Sequence, residues 1–507
     1  MLKMYLTPKN IILGAIQALQ VAATIMFMIA IININMLPAL HIILISVILG
    51  ILFIVTAFVQ TRQSWKRYIG TGVSILLSAG LMFGSIAANN AKNTMHEITA
   101  PSQYVDKVVI AVRADSDIET IWDIKDKPVG TQYNQQGELM LATEGKLHIE
   151  QNIEFDTIQC NTVIEQVIRL FDEEVDAIIY NSAYGDLFVE QMPDFNSKIK
   201  IIFTCDMTEE DIEKYKDVID LTAKPGYAPP PEETPEDEEY FEPATPDDPY
   251  PQNEDVFSVY LSGIDVYGSI TTNSRSDVNI IAIVNPKENK ILLVTTPRDC
   301  FVPIPGVSGG KLDKLTHAGI YGIDASMATL SNLYNVELDY YVRVNFTSFE
   351  TIVDALGGIS VYSAYNFNAG GYNYVKGYND LNGKEALVFV RERYSFAAGD
   401  NQRGKNQQEA IKAIIKKACS PAILTAANDI LDSVRDNIDM NVPEEFIQSL
   451  IKKQLSDGKE WEIVTMAATG TGSQDEPFSM PGLTAYVMIP NQDSINEIRD
   501  AIADMYK

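Results

Sequence analysis

Arg391, Arg393, Arg403 and Lys405 crowd one short stretch, with Asp400 and Gln407 among them. The apolar run Ala386 to Val390 precedes them and reads as a buried strand. A helical pattern, Glu409 to Lys417, follows. Cations gathered where a strand opens into a helix can hold an anion, because strand ends form crevices and helix N-termini present free N–H groups. Guanidinium forks match phosphate oxygens in particular. A solvated, charged connection is the plain alternative for one such stretch.

A second set of charged residues sits at strand ends. Val259 to Ile264 is a strand that runs into Asp265. Arg275 and Asp277 lead into the apolar strand Val278–Val284. Lys290 to Thr296 is a third strand, closed by Pro297, Arg298 and Asp299. One aspartate at a strand end is usually a turn residue or a helix cap. Three charged strand ends together with the arginine stretch point instead to one anion site fed from several elements.

The order Gly263-Ile264-Asp265, Arg275-Ser276-Asp277, Pro297-Arg298-Asp299, Val353 to Gly358, Arg391-x-Arg393 and Asp400-x-x-Arg403-x-x-x-Gln407 resembles the LytR-CpsA-Psr (LCP) family. The resemblance runs from about Val256 to the C-terminus. It implies an α/β fold: an LCP-type α-β-α domain with a central mixed sheet. It also implies a membrane-anchored phosphotransferase that moves a glycopolymer, teichoic acid or capsule, from an undecaprenyl-pyrophosphate carrier to peptidoglycan. By the same resemblance Asp265 and Asp277 hold Mg²⁺ or Mn²⁺, and Arg298, Arg391, Arg393 and Arg403 bind pyrophosphate with Gln407 beside them. Arg275 orders the site or touches phosphate. Asp400 orients an arginine or takes the acceptor proton. The carrier's tail implies an apolar tunnel, for which Val278–Val284, Ile291–Thr295, a strand Tyr341–Phe346 and the segment Phe349–Val361 are candidates. Two positions depart from the pattern: Tyr267 and Asn406 stand where the family often has arginine. These departures bear on substrate preference more than on reaction class.

Several elements must precede and support that site. Ile11–Ile34, Leu37–Val59 and Ile69–Ala88 are apolar stretches near the ~20 residues that cross a bilayer. The first loop carries no charge and the second carries Arg62, Lys66 and Arg67, which places the N-terminus (1–10) in the cytoplasm and the chain beyond Asn89 outside. Residues 11–90 are thus three transmembrane helices. Residues 104–221 read as a separate, smaller α/β unit. Its helical Val163–Phe171 and strand Val175–Tyr180 are similar to a lobe of periplasmic solute-binding proteins. That unit is short for two lobes, so a spacer or a seat for an envelope protein is favoured over a small-molecule receptor. Residues 222–255, rich in proline and acid, form a solvated linker, and 256–507 form the catalytic domain.

Composition narrows the function further. With 39 basic and 68 acidic residues the net charge is −29, which argues against a nucleic-acid partner. Cys160, Cys205, Cys300 and Cys419 include no C-x-x-C pair. Disulfides Cys160–Cys205 and Cys300–Cys419 and four buried thiols are both open. The competing reading of the whole chain is a non-catalytic envelope protein that binds or senses a lipid-linked glycan or a solute.

Overall fold

The computed structural model describes residues 8–62, 65–100, 102–134, 136–220, 255–264, 270–397, 399–420, 431, 433, 435 and 437–507. The acidic linker, but for Asp255, lies outside them, as do residues 1–7.

Three helices, Pro8–Asn33, Ala39–Gln60 and Lys66–Ile98, open the chain. All three are long and apolar enough to cross a membrane. Their outer surfaces carry exposed Ile, Leu and Phe, whereas the polar groups face inward. Gln20 Oε1 accepts hydrogen bonds from Ser74 (2.7 Å) and Thr56 (3.0 Å), and Gln60 donates to Ser74 Oγ (2.7 Å). Buried polar contacts of this kind bind helices together where lipid supplies no hydrophobic drive. The third helix continues ten residues beyond the expected end at Ala88, to Ile98.

The middle unit is a five-stranded mixed sheet. Its order is Asp156–Gln159, Pro128–Thr131, Ala177–Asn181, Val105–Arg113, Ile199–Thr208. Helix Val163–Phe171 packs on one face of it, with Val163, Val167 and Leu170 buried against Val109 and Ile178. Helix Gly137–Gln151 covers the other face.

The C-terminal unit is built on a six-stranded mixed sheet in the order Ile438–Met440, Tyr340–Val344, Phe257–Ile264, Ser276–Asn285, Lys290–Thr295, Glu462–Ala467. Strand Ser276–Asn285 is apolar without alternation from Ile280 to Val284 because both faces are covered there. Ile281 and Ile283 join Leu330, Leu333, Ile495 and Ile498 of helices Ile323–Tyr334 and Gln492–Met505. Ile280, Ala282 and Val284 pack instead toward Ile411, Ile415, Phe446 and Leu450. The result is an α-β-α sandwich. The cysteines are all free thiols, with Cys160, Cys205 and Cys300 buried, so the disulfide alternative is set aside.

Two expected strands are corrected. Ala386–Val390 belongs to helix Gly383–Arg391. Asn382 Oδ1 accepts from Glu385 N (3.0 Å) while Glu385 Oε2 accepts from Asn382 N (3.0 Å), a reciprocal cap that starts the helix. Strand Tyr341–Phe346 ends early, at Val344, because Asn345 accepts from Ser348 N (2.9 Å) and caps helix Phe346–Ala355.

The three units touch. Asn35, between the first two helices, donates to Gln448 Oε1 (2.9 Å) and accepts from Lys452 (2.6 Å) in the C-terminal unit. At the end of the third helix His96 lies 3.5 Å from Glu444, and Glu97 3.5 Å from Arg435. Just beyond it Tyr104 donates to Asp439. The anchor helices are therefore fastened to the C-terminal unit on both the Asn35 side and the His96 side.

Candidate active site

A cavity of about 250 Å³ opens at the ends of strands Phe257–Ile264 and Ser276–Asn285. Its wall is of two kinds. Phe346, Phe349, Leu387 and Val390 make an apolar part; Asp277, Arg298, Arg391, Arg393, Arg403 and Gln407 make a charged and polar part. Gly263, Ile264, Val278, Val344, Asn345 and Tyr394 complete it.

Asp277 is the second residue of its strand. Its Oδ2 accepts from Arg298 Nη1 (2.8 Å) and its Oδ1 from Thr316 Oγ1 (3.0 Å). Burial opposes ionisation of this carboxyl, but Arg298, Arg275 and Arg403 together outweigh it and hold it below the usual carboxylate range. The group is an anion among cations. Arg298 follows strand Lys290–Thr295 and lies 3.9 Å from Asp299, which also meets Lys314 at 3.3 Å.

Arg391 ends helix Gly383–Arg391, and its guanidinium sits 3.9 Å from the centre of the Phe346 ring. A guanidinium over an aromatic face gains a cation–π contact that holds it in place. Arg393 donates to Tyr394 Oη (2.7 Å), and this contact draws the phenol below its ordinary value. Arg403 and Gln407 stand four residues apart on helix Asp400–Ala418, hence on one face, and both are nearly buried. Gln407 donates to Val390 O (3.4 Å). Gln402, Asn406 and Gln408 are buried on the same helix, and Asn406 donates to Phe389 O (3.3 Å). Asn406 and Gln407 thus tie the arginine-bearing helix to helix Gly383–Arg391, while Gln408 donates to Met466 O (2.5 Å) of strand Glu462–Ala467.

The structure thus brings Asp277, Arg298, Arg391, Arg393, Arg403 and Gln407 to one cavity. Asp265 lies outside the described residues, one position past the cavity-lining Ile264. Asp400 is the first residue of its helix, and its side chain lies outside them as well. Arg275 does not line the cavity, which corrects its expected contact with phosphate. Its guanidinium, 9% exposed, pairs with Glu190 (2.6 Å) and Asp186 (3.3 Å) of the middle unit. The sheet register shifts between Gly263 and Ile264, opposite this strand start, so the alternation that would turn Arg275 and Asp277 the same way is broken there. Thr316 and Tyr394 escape sequence reasoning, because nothing local distinguishes them.

The backbone behind Asp277 has no slack. A Cβ on Gly319 would stand 2.5 Å from Ser274 O and 2.8 Å from Ser276 N. Gly319→Ala is expected to destabilise the protein by about 1–3 kcal/mol, as overpacking does. Denaturant unfolding checks this, and unchanged stability would mean that the strand start yields freely.

The LytR_cpsA_psr family model matches residues 230–503. A polyisoprenyl-teichoic acid–peptidoglycan teichoic acid transferase TagU of Oceanobacillus iheyensis is 31% identical over 258 residues, covering 50% of this chain and 76% of the relative. A transferase of the same name from Bacillus anthracis is 32% identical over 246 residues, covering 48% and 78%. The crystal structure of B. subtilis TagU aligns with 30% identity and a TM-score of 0.40, covering 50% of this chain and 97% of that one.

Proposed function

The chain belongs to the LytR_cpsA_psr family, and from that premise we propose that it is a membrane-anchored phosphotransferase joining a glycopolymer to peptidoglycan. The donor is a polyprenyl-pyrophosphate-linked glycopolymer of the teichoic acid or capsule kind. The observation that carries this reading is the cavity wall: four arginines from two separate stretches of chain beside an apolar pocket side. That pairing suits a pyrophosphate with a hydrocarbon tail.

In the proposed reaction a hydroxyl of peptidoglycan attacks the sugar-bearing phosphorus. The bond from that phosphorus to the bridging oxygen breaks, and polyprenyl phosphate leaves with the electron pair. The hydroxyl proton passes to a base, for which Asp400 is the candidate. Such a transfer needs alignment and charge neutralisation more than covalent catalysis. Arg298, Arg391, Arg393 and Arg403 bind and orient the phosphates and offset their growing charge. Gln407 adds a neutral hydrogen bond. Phe346, Phe349, Leu387 and Val390 receive the first isoprene units and keep water from the pyrophosphate.

A divalent cation, Mg²⁺ or Mn²⁺, fits the donor chemistry present. Asp277 is an ionised, hard-oxygen group on the wall, and Asp265 follows the cavity-lining Ile264 in the sequence. No group of three or more metal-ligating side chains occurs among the described residues, so substrate oxygens and water would fill the remaining positions. When bound, the cation would neutralise phosphate charge.

The hydrogen bonds that Asn35 donates to Gln448 and accepts from Lys452 support one topology. The first loop and the catalytic unit share one side of the membrane, outside, and the basic second loop takes the other.

The test is transfer of labelled glycan from a polyprenyl-pyrophosphate carrier to purified peptidoglycan by the full chain in detergent, with Mg²⁺ and with chelator. Label on peptidoglycan is expected with Mg²⁺. Carrier bound but no label transferred under either condition would leave a binding protein and sink the reading.

A further inference from the structure

Residues 360–382 hold five tyrosines and five asparagines. They build a small lobe beside the cavity: strand Ile359–Ser363 pairs antiparallel with Gly377–Leu381, and Phe367–Ala369 with Tyr372–Tyr374. In the first pair Val361 and Leu381 turn inward to a core shared with Leu387 and Phe389. The outward face carries two cross-strand pairs, Tyr362 with Tyr378 and Ser360 with Asp380. The two rings meet edge to face at 5.5 Å, yet Tyr378 is 70% exposed.

Aromatic exposure continues to the cavity mouth. Tyr365, half exposed, lies 5.8 Å from Phe396, two residues from Tyr394. Tyr394 lines the cavity and is 85% exposed. Ser395 donates to Asn368 O (3.4 Å), which fastens the mouth loop to the lobe.

We propose that this tyrosine face seats the acceptor, a peptidoglycan glycan strand, and guides its hydroxyl to the cavity. The proposal rests on the transfer reading above. Flat, amphipathic rings cover the C–H faces of pyranose sugars, while their hydroxyls and the adjacent Ser360 and Asp380 meet sugar hydroxyl and amide groups. Asp380 opposes a polyanionic donor polymer on this face and tolerates an N-acetylated hexosamine strand. The pyrophosphate and isoprene units occupy the cavity, so the acceptor must arrive from outside it, along the mouth.

The test compares the full chain in detergent with its Tyr362→Ala/Tyr378→Ala and Tyr378→Trp variants. Three quantities are read: co-sedimentation with insoluble peptidoglycan, binding of a polyprenyl-pyrophosphate carrying one sugar, and binding of the same lipid carrying a long polymer. The double variant is expected to lose peptidoglycan affinity about tenfold, the loss typical of removing a central aromatic contact. Tyr378→Trp should retain it, and single-sugar lipid binding should not change. Unchanged peptidoglycan affinity in the double variant overturns the proposal. So does a loss confined to the long-polymer lipid, which would assign the face to the donor. A loss matched by the tryptophan variant together with a lowered melting temperature overturns it as well, in favour of a purely structural tyrosine pair. A wild-type chain that sediments with peptidoglycan but binds no carrier lipid would strike the transfer reading and leave the glycan face standing.

Discussion

Arg403→Ala is expected to weaken binding of a polyprenyl-pyrophosphate glycan by between about ten- and a hundredfold, since each charge-assisted contact contributes roughly 1.5–3 kcal/mol. Arg403 is the clean position for this test. Its side chain faces the cavity from the first turn of helix Asp400–Ala418, whose next residues are fixed by amide contacts, so its removal leaves the wall in place. Arg403→Lys should restore part of the affinity. Lysine keeps the charge but loses the planar fork that grips two phosphate oxygens at once. Calorimetric titration of the detergent-solubilised chain with the lipid measures both variants. Wild-type affinity in Arg403→Ala would show that the arginines form a charged rim with no ligand of their own.

Asp277→Asn separates binding from catalysis. Asparagine keeps an oxygen for Thr316 and nearly the same shape, but it removes the one ionised carboxylate that the described residues place on the cavity wall. Lipid affinity in the absence of divalent cation should stay the same or rise, because a negative charge beside the phosphates is gone. Transfer should nevertheless fall by on the order of 10²–10³, the scale on which losing one electrostatic contributor lowers turnover, and the response to Mg²⁺ should flatten. Initial rates across a Mg²⁺ series decide the matter. Full turnover with an intact metal response would reduce Asp277 to an anchor for Arg298.

Much of this arrangement is legible in the sequence, for reasons that differ from residue to residue. Val278–Val284 announces a central strand because Ile280 to Val284 run apolar without a break, which a sheet covered on both faces demands. Ala386–Val390 looks the same and is a helix: five residues are too few to reveal a period, and the deciding signal lay upstream, in Asn382 and Glu385 three apart. Arg403 and Gln407 share a face by helical spacing alone. Their meeting with Arg298, more than a hundred residues earlier, follows from strand order, which no local pattern encodes. The charged strand ends hint at one shared anion site, and the likeness to a family names its members. Arg275 went astray because two residues before Asp277 the strand has not yet begun, and a partner in another unit claims the side chain.

The contacts of Asn35 with Gln448 and Lys452, and of His96 and Glu97 with Glu444 and Arg435, carry a consequence for how the proposed enzyme meets its wall. A head on a loose tether would sweep a hemisphere and sample acceptors at many depths. A head fastened at two sides of its stalk keeps one altitude and one attitude. Its search is then two-dimensional, by drift of the whole molecule in the plane of the bilayer. Every polymer it delivers would be laid into a single stratum of the wall, at a distance from the membrane written into the length of the protein.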